Sequence, residues 1–218
     1  MKTALVFGSS GLIGGHLLNE LIQSDNYNKI KLFVRSDYGI NHSKTEIIKT
    51  DFNNLENHKE DIKGDDCFFC IGTTKQNSAD KNEYKRVELD VPKKIAQIAK
   101  SNLVNSFVFV SSGYADPNSS GDYLKFKGLV EEELKRLNFS KLGIMRPSFL
   151  IGDRKEKRVG EKVGIFIFKL LSPLFLGPLK KMKPIHSKKV AKAMIKITNG
   201  DFKQNVFESN EIVEVSNS

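Results

Sequence analysis

Two stretches of the chain carry residues spaced for chemistry. In the first, Gly8-Ser9-Ser10-Gly11-Leu12-Ile13-Gly14 sets three glycines at a spacing of three directly after the apolar run Ala4 to Phe7. Such a turn bares backbone N–H groups, and where a helix starts on it those donors and the helix dipole face an anion such as a diphosphate. Gly8 is expected to make the tight turn, Gly11 to let a diphosphate approach the backbone, and Gly14 to let helix and strand pack closely. In the second stretch Ser111 and Ser112 close an apolar run, and Tyr123 and Lys127 follow. On a helix that spacing puts phenol and ammonium on one face. The ammonium then lowers the phenol pKa, and the phenol exchanges a proton with a substrate oxygen positioned by the Ser112 hydroxyl.

These groups need a scaffold that brings them to one edge. The chain has 218 residues, 39% hydrophobic and 28% charged, so it can bury a core without disulfide or metal staples, and residues 1–218 are expected to form one domain. Strands are predicted at Ala4 to Phe7, Ile30 to Val34, Glu46 to Lys49, Cys67 to Ile71, Ser106 to Val110 and Leu142 to Met145. Between them, Leu17, Leu18, Leu21 and Ile22 mark a first helix; Val91, Ile95, Ile98 and Ala99 mark another that Pro92 can open; Asp122 to Leu137 reads as a third. The alternation implies an α/β fold, a doubly wound and mainly parallel sheet with helices on both faces. After Pro147 the regularity weakens. A basic loop, Asp153 to Arg158, leads to an apolar run, Val163 to Leu179, broken by Gly164, Lys169, Pro173, Gly177 and Pro178. Ser187 to Thr198 reads as a helix and Asn205 to Glu208 as a last strand, so residues 150–218 are expected to build a small substrate-side lobe.

A glycine turn between strand and helix suits a dinucleotide, which also needs a ribose-reading group about 20 residues on. The second strand ends in Arg35-Ser36-Asp37. A guanidinium beside a hydroxyl suits the 2′-phosphate of NADP, while Asp37 keeps NAD open. Asp51-Phe52 closes the third strand, where it can hold adenine or, equally well, form a turn.

With these residues in view, the chain resembles the atypical and extended short-chain dehydrogenase/reductases, a Rossmann-like NAD(P)-binding family. Its nearest branch is the Tat-interacting-protein-like oxidoreductases, on the strength of Cys70-Ile71-Gly72-Thr73-Thr74, Tyr123-Leu124-Lys125-Phe126-Lys127-Gly128 and Asp153-Arg154-Lys155-Glu156. The resemblance implies Ser112, Tyr123 and Lys127 as the catalytic set, with Lys127 also on the cofactor ribose. It further implies cofactor contacts along the glycine turn, at Ile71, Gly72 and Thr73, at Ser111, and at Pro147, Ser148 and Phe149 after the Met145-Arg146-Pro147 run. One departure stands out: where the family often has an Asn, this chain has Glu88 in Arg86-Val87-Glu88-Leu89, which changes the local proton inventory. The short connection Asp116 to Gly121 leaves little room for an elaborate substrate.

The remaining signals are weaker. A formal charge of +9 favours anions in general, and without a recognition helix or aromatic single-strand motif no nucleic-acid partner is expected. Cys67 and Cys70 form a CxxC in a predicted strand, where residues three apart point to opposite faces; metal or redox pairing is not expected. Lys162 to Lys183 mixes lysines with Phe166, Phe168 and Phe175, but its prolines and glycines favour a lid over membrane or partner docking. His186 reads as a surface residue before the late helix rather than a substrate contact. The apolar start, Met1 to Phe7, is too brief for a secretory or spanning segment, and the expectation is a cytoplasmic protein, monomer or homodimer. The leading expectation is hydride transfer to or from a small carbonyl or alcohol; the alternative is a dinucleotide-sensing regulator that binds a protein partner.

Overall fold

The computed structural model of the chain describes residues 1–152 and 183–218. Its centre is a set of short strands too apolar to tolerate water on either side. β1 (Lys2–Phe7) is buried from Ala4 onward; its neighbour β4 (Asp66–Phe69) is buried throughout, and β2 (Tyr27–Val34) on its other side and β5 (Ser106–Val110) beyond β4 are mostly so. Strands covered on both faces read as continuous hydrophobic runs, the pattern of parallel sheets. With β3 (Thr45–Lys49), β6 (Lys141–Arg146) and β9 (Val206–Glu208) they form one seven-stranded sheet in the order β3-β2-β1-β4-β5-β6-β9, every pair parallel. A second pair, β7 (Leu150–Ile151) and β8 (Ile185–His186), lies beyond it.

Alternation along the strands divides the core in two. Leu5, Phe7, Phe69 and Phe107 face one layer with Ile95 and Ala99 of α3 (Val91–Ser101) and Val130 and Leu134 of α4 (Asp122–Leu137). Ala4, Val6, Phe68 and Val108 face the other, with Leu17 and Leu21 of α1 (Leu12–Gln23) and Val190 and Met194 of α5 (Ser187–Asn199). The doubly wound expectation therefore holds. The same alternation separates the CxxC: Cys67 lies in the first layer while Cys70 packs against the second.

Four local features depart from the sequence reading. β2 begins at Tyr27 rather than Ile30, because the Tyr27 ring is buried and its hydroxyl bonds Asp66 Oδ2 at 2.7 Å. β4 ends at Phe69 rather than Ile71, where the chain leaves the sheet beside the glycine turn. A helix that was not expected, α6 (Ser209–Asn217), follows β9; Glu208 and Glu211 form its capping box, and Ile212 and Val215 are buried. The helical stretch before β5 begins early, with α2 (Lys81–Lys85) and a π turn over Arg86–Asp90 running into α3, and the π turn points Glu88 inward. The expectations for Asp153 to Arg158 and Val163 to Leu179 lie outside the described residues, as does Lys162 to Lys183 apart from Lys183 itself.

Sheet order decides where a ligand can go. After β3 the chain crosses to the far side of β1 to make β4, so the connections leaving β1 and β4 diverge and open a crevice at their carboxyl ends. The glycine turn, residues 70–74, Ser112 and the start of α4 all sit at this end.

Candidate functional site

The glycine turn is built by backbone-on-backbone contact. Gly8 adopts φ +89°, and a Cβ there would sit 2.9 Å from the Cys70 carbonyl carbon and the Ile71 nitrogen, while one on Gly14 would collide with the Gly8 carbonyl oxygen. Gly11 then starts α1 in an extended conformation, with no side chain capping the helix and no acidic residue in its first turn. The bare N–H groups and positive dipole end are left for an anion. Ser10 and Gly11 are exposed on this turn, whereas Ile13 joins the core and the buried Ser9 accepts a 2.6 Å hydrogen bond from the Tyr38 hydroxyl.

The other expected cofactor residues occupy the same edge in different states. Arg35, Ser36 and Asp37 are exposed at the end of β2, and Asp37 Oδ1 accepts from the Gly39 amide at 2.9 Å. Asp51 takes up the turn role: its oxygens accept from the Asn53 amide at 2.9 Å and from Asn53 Nδ2 at 2.8 Å, bonds that hold its carboxyl below the usual range. Phe52 sits in the left-handed region at φ 63°, and its carbonyl accepts from Arg86 Nη1 at 3.2 Å. Ile71 and Thr73 are half-buried and Gly72 exposed after β4; the Thr73 amide donates to Glu88 Oε1 at 2.5 Å.

A row of phenylalanines crosses the sheet beneath this edge. Phe33 stacks on Phe7 at 4.3 Å between centroids, Phe7 lies 6.0 Å from Phe69, and Phe69 lies 5.9 Å from Phe109. In-register parallel pairing produces the row. Lys127 Nζ ends it, 4.8 Å from the Phe109 centroid. Only 3% exposed, this ammonium donates to the Val110 carbonyl at 3.3 Å and lies 3.0 Å from Glu88 Oε2. Burial pulls the Lys127 ammonium down, but Glu88, helped by Tyr123 and Glu131, outweighs it and the net shift is upward. One turn earlier Tyr123 is 39% exposed, its ring centroid 5.9 Å from Nζ. Thus α4 anchors a buried ammonium and presents a solvent-facing phenol above it. Gly128 lets the helix come this close, since a Cβ there would strike the Pro117 nitrogen of the preceding loop.

The two serines after β5 part company. Ser111, expected at the cofactor, turns its hydroxyl inward to Glu131 Oε1 at 2.6 Å, leaving the cofactor edge only its main chain. Ser112 is half-buried, its hydroxyl donates to the Gly113 carbonyl at 3.3 Å, and it lines an open pocket of about 200 Å³ with Gly113, Tyr114, Ser148 and Phe149. Tyr114 holds φ 65°. Pro147 accepts from the Gly113 amide at 3.0 Å, and Ser148 Oγ donates to the Lys183 carbonyl at 2.6 Å, so this loop is tied to the late segment. His186 is exposed just before α5.

Sequence reasoning missed the support beneath these groups. Arg146 grips Glu131 through two bonds, Nε to Oε1 at 2.9 Å and Nη2 to Oε2 at 2.5 Å, and also reaches the Ala115 carbonyl at 3.1 Å. This joins β5, α4, β6 and the loop that carries Ser112. A signal existed: Tyr123, Lys127 and Glu131 recur every fourth residue on α4, so a carboxylate extends the face of the Tyr–Lys pair. Among the described residues no cluster of three or more His, Cys, Asp and Glu could hold a metal, and no described helix is long and apolar enough to cross a membrane.

Residues 8–199 match the NAD(P)H-binding family. The chain belongs to this family. Rat (Rattus norvegicus) protein HTATIP2 is 34% identical over 166 residues, covering 73% of this chain and 67% of that one. The mitochondrial protein FMP52 of Eremothecium gossypii is 30% identical over 221 residues, covering 97% of this chain and 96% of the relative. Among solved structures, the Bordetella bronchiseptica enzyme WbmH in complex with NAD+ superposes with a TM-score of 0.72 at 16% identity, over 95% of this chain and 75% of that one, a likeness of fold. The NAD(P)-binding fold is thus established. The expectation of a cytoplasmic protein does not stand, because the FMP52 relatives are named mitochondrial. That expectation rested on the brevity of the apolar run Met1 to Phe7, which bears on export and not on import into an organelle.

Proposed function

We propose that this member of the NAD(P)H-binding family is an NADP-dependent short-chain reductase or dehydrogenase acting on a small carbonyl or alcohol. The observation that carries the reading is the pairing on α4 of a buried, charged Lys127 with the solvent-facing Tyr123 one turn away, at the edge where the glycine turn opens. The bare turn and uncapped helix start fit a dinucleotide diphosphate, since side chains at Gly8 and Gly14 would fill the space its backbone needs. When bound, the nicotinamide supplies or accepts the hydride. Tyr123 gives a proton to the carbonyl oxygen during reduction and takes it back during oxidation. Lys127, one turn from the phenol, donates toward the cofactor ribose. Ser112, whose hydroxyl makes only a 3.3 Å bond to the Gly113 carbonyl among the described residues, holds the substrate oxygen.

NADP is favoured over NAD at the ribose. Arg35 is exposed and, among the described residues, has no carboxylate at ion-pair distance, whereas one oxygen of Asp37 accepts the Gly39 amide of its own turn. Tyr123→Phe should lower turnover of a panel of small aldehydes and ketones by about 10²-fold or more while calorimetry still reports NADPH binding. Unchanged turnover would remove Tyr123 as the proton donor. Arg35→Asp should shift the ratio of NADPH to NADH affinity toward NADH, and an unaltered ratio would remove the NADP assignment.

A further inference from the structure

The π turn before α3 presents a buried carboxylate to the functional edge. Glu88 has a fully buried side chain whose two oxygens go to two different segments. Oε1 accepts the Thr73 amide at 2.5 Å, fixing the chain that leaves β4; Oε2 lies 3.0 Å from Lys127 Nζ on α4. That second contact is an ion pair without hydrogen-bond geometry, so Oε2 keeps unused acceptor capacity. A neutral side chain could bond the Thr73 amide equally well. What only a carboxylate adds is a counter-charge for an ammonium packed on the Phe109 ring and 3% exposed.

We propose that Glu88 is a positioning residue: its carboxylate keeps the buried Lys127 ammonium charged and in place, and locks that ammonium to the Thr73 backbone so that the β4 exit and α4 present one rigid surface to the dinucleotide. The proposal rests on the reading of Lys127 as a cofactor contact. The charge balance agrees with it. The groups facing Lys127 are Glu88 from the π turn, Tyr123 and Glu131 from α4 and the Cys70 thiol at the end of β4. Of these, Glu131 is already held by Arg146 and Ser111. Burial pushes the Cys70 thiol up to about 12, so it stays neutral. Tyr84 on α2 faces Glu88, and burial pushes its phenol up to about 12 as well. Glu88 is therefore the one anion beside Lys127 that no other cation claims among the described residues.

The test compares wild type with Glu88→Gln, which keeps the Thr73 bond and removes the charge, and Glu88→Asp, which keeps the charge. Lysine side-chain nitrogen NMR on the ligand-free protein should show Lys127 protonated through about pH 10 in wild type and Glu88→Asp, and titrating below the ordinary lysine value of about 10.4 in Glu88→Gln. In parallel, the Kd for NADPH should rise about tenfold or more between about pH 7 and pH 10 in Glu88→Gln and change little in wild type. An Nζ titration unaffected by Glu88→Gln overturns the proposal. A displaced titration with a flat NADPH profile upholds the role of Glu88 and instead overturns Lys127 as a cofactor contact. Should Glu88→Gln fail to fold, the Glu88→Gln/Lys127→Met variant decides. Recovery of the wild-type melting temperature supports the pairing, and continued instability counts against it.

Discussion

Both ends of the sheet bury a carboxylate facing a lysine, yet only one end is built to meet a ligand. At the amino-terminal end Asp66 Oδ2 receives Lys2 Nζ at 3.0 Å and the Tyr27 hydroxyl at 2.7 Å. Lys2 also donates to the Thr198 carbonyl and to Asn199, and Tyr27 pairs with Thr198 Oγ1, so α5 seals the cluster. At the carboxyl end Lys127 is 3% exposed against 31% for Lys2, so the pair with Glu88 is the more deeply buried, but the elements above it stop short. The start of α1 is uncapped, Tyr123 is 39% exposed, and the half-buried Ser112 lines the pocket. A buried charge therefore does not by itself mark a site. The mark is a buried charge beneath an uncapped helix start and an exposed phenol.

Substitutions at the two ends can break or sharpen this contrast. The largest effect is expected from Lys127→Met, which strands Glu88 in the core: about 3–5 kcal/mol of stability lost in denaturant unfolding, together with NADPH binding. Asp66→Asn at the opposite end should cost less, about 1–3 kcal/mol, and leave NADPH affinity within about twofold. If affinity fell there as well, the two ends would not be functionally distinct. Tyr27→Phe gives up the bonds to Asp66 and Thr198 and should cost about 1–2 kcal/mol near neutral pH. It also carries a pH signature. Burial and the Asp66 charge raise the Tyr27 pKa, so its contribution is whole below the unfolded tyrosine value of about 10 and is lost as pH rises from there through the folded value. The alkaline decline of the wild-type melting temperature should thus be steeper than that of Tyr27→Phe. The smallest effect belongs to the rim. Lys75→Ala breaks an exposed 2.8 Å pair with Asp122 and should leave the unfolding midpoint unmoved.

Much of this was legible from local rules. β5 and α4 occupy the predicted Ser106–Val110 and Asp122–Leu137, because an uninterrupted apolar run and a stretch of strong helix formers leave few alternatives. The glycine spacing announced its turn for a similar reason, since few other sequences tolerate φ +89° beside a neighbouring backbone. Asp51 showed the limit: its type allowed two roles, and only the fold revealed that Asn53 takes both oxygens. Ser111 and Ser112 were indistinguishable by type, and the direction of the strand end sent one hydroxyl to Glu131 and left the other at the pocket. α6 escaped notice because its buried face is short, resting on Ile212 and Val215.

By itself, the sequence determined the alternation of strands and helices, the glycine turn and the Tyr123–Lys127 face, because periodicity and backbone sterics act between residues a few positions apart. Only the tertiary structure decided that Glu88 meets Lys127 and Thr73, that Arg146 clamps Glu131, and that Asp66 is closed off by Lys2 and Thr198. Those partners come from elements far apart in the chain. Whether a charge ends up paired, stranded or exposed follows from which elements the sheet order brings together, and no local pattern encodes that distance.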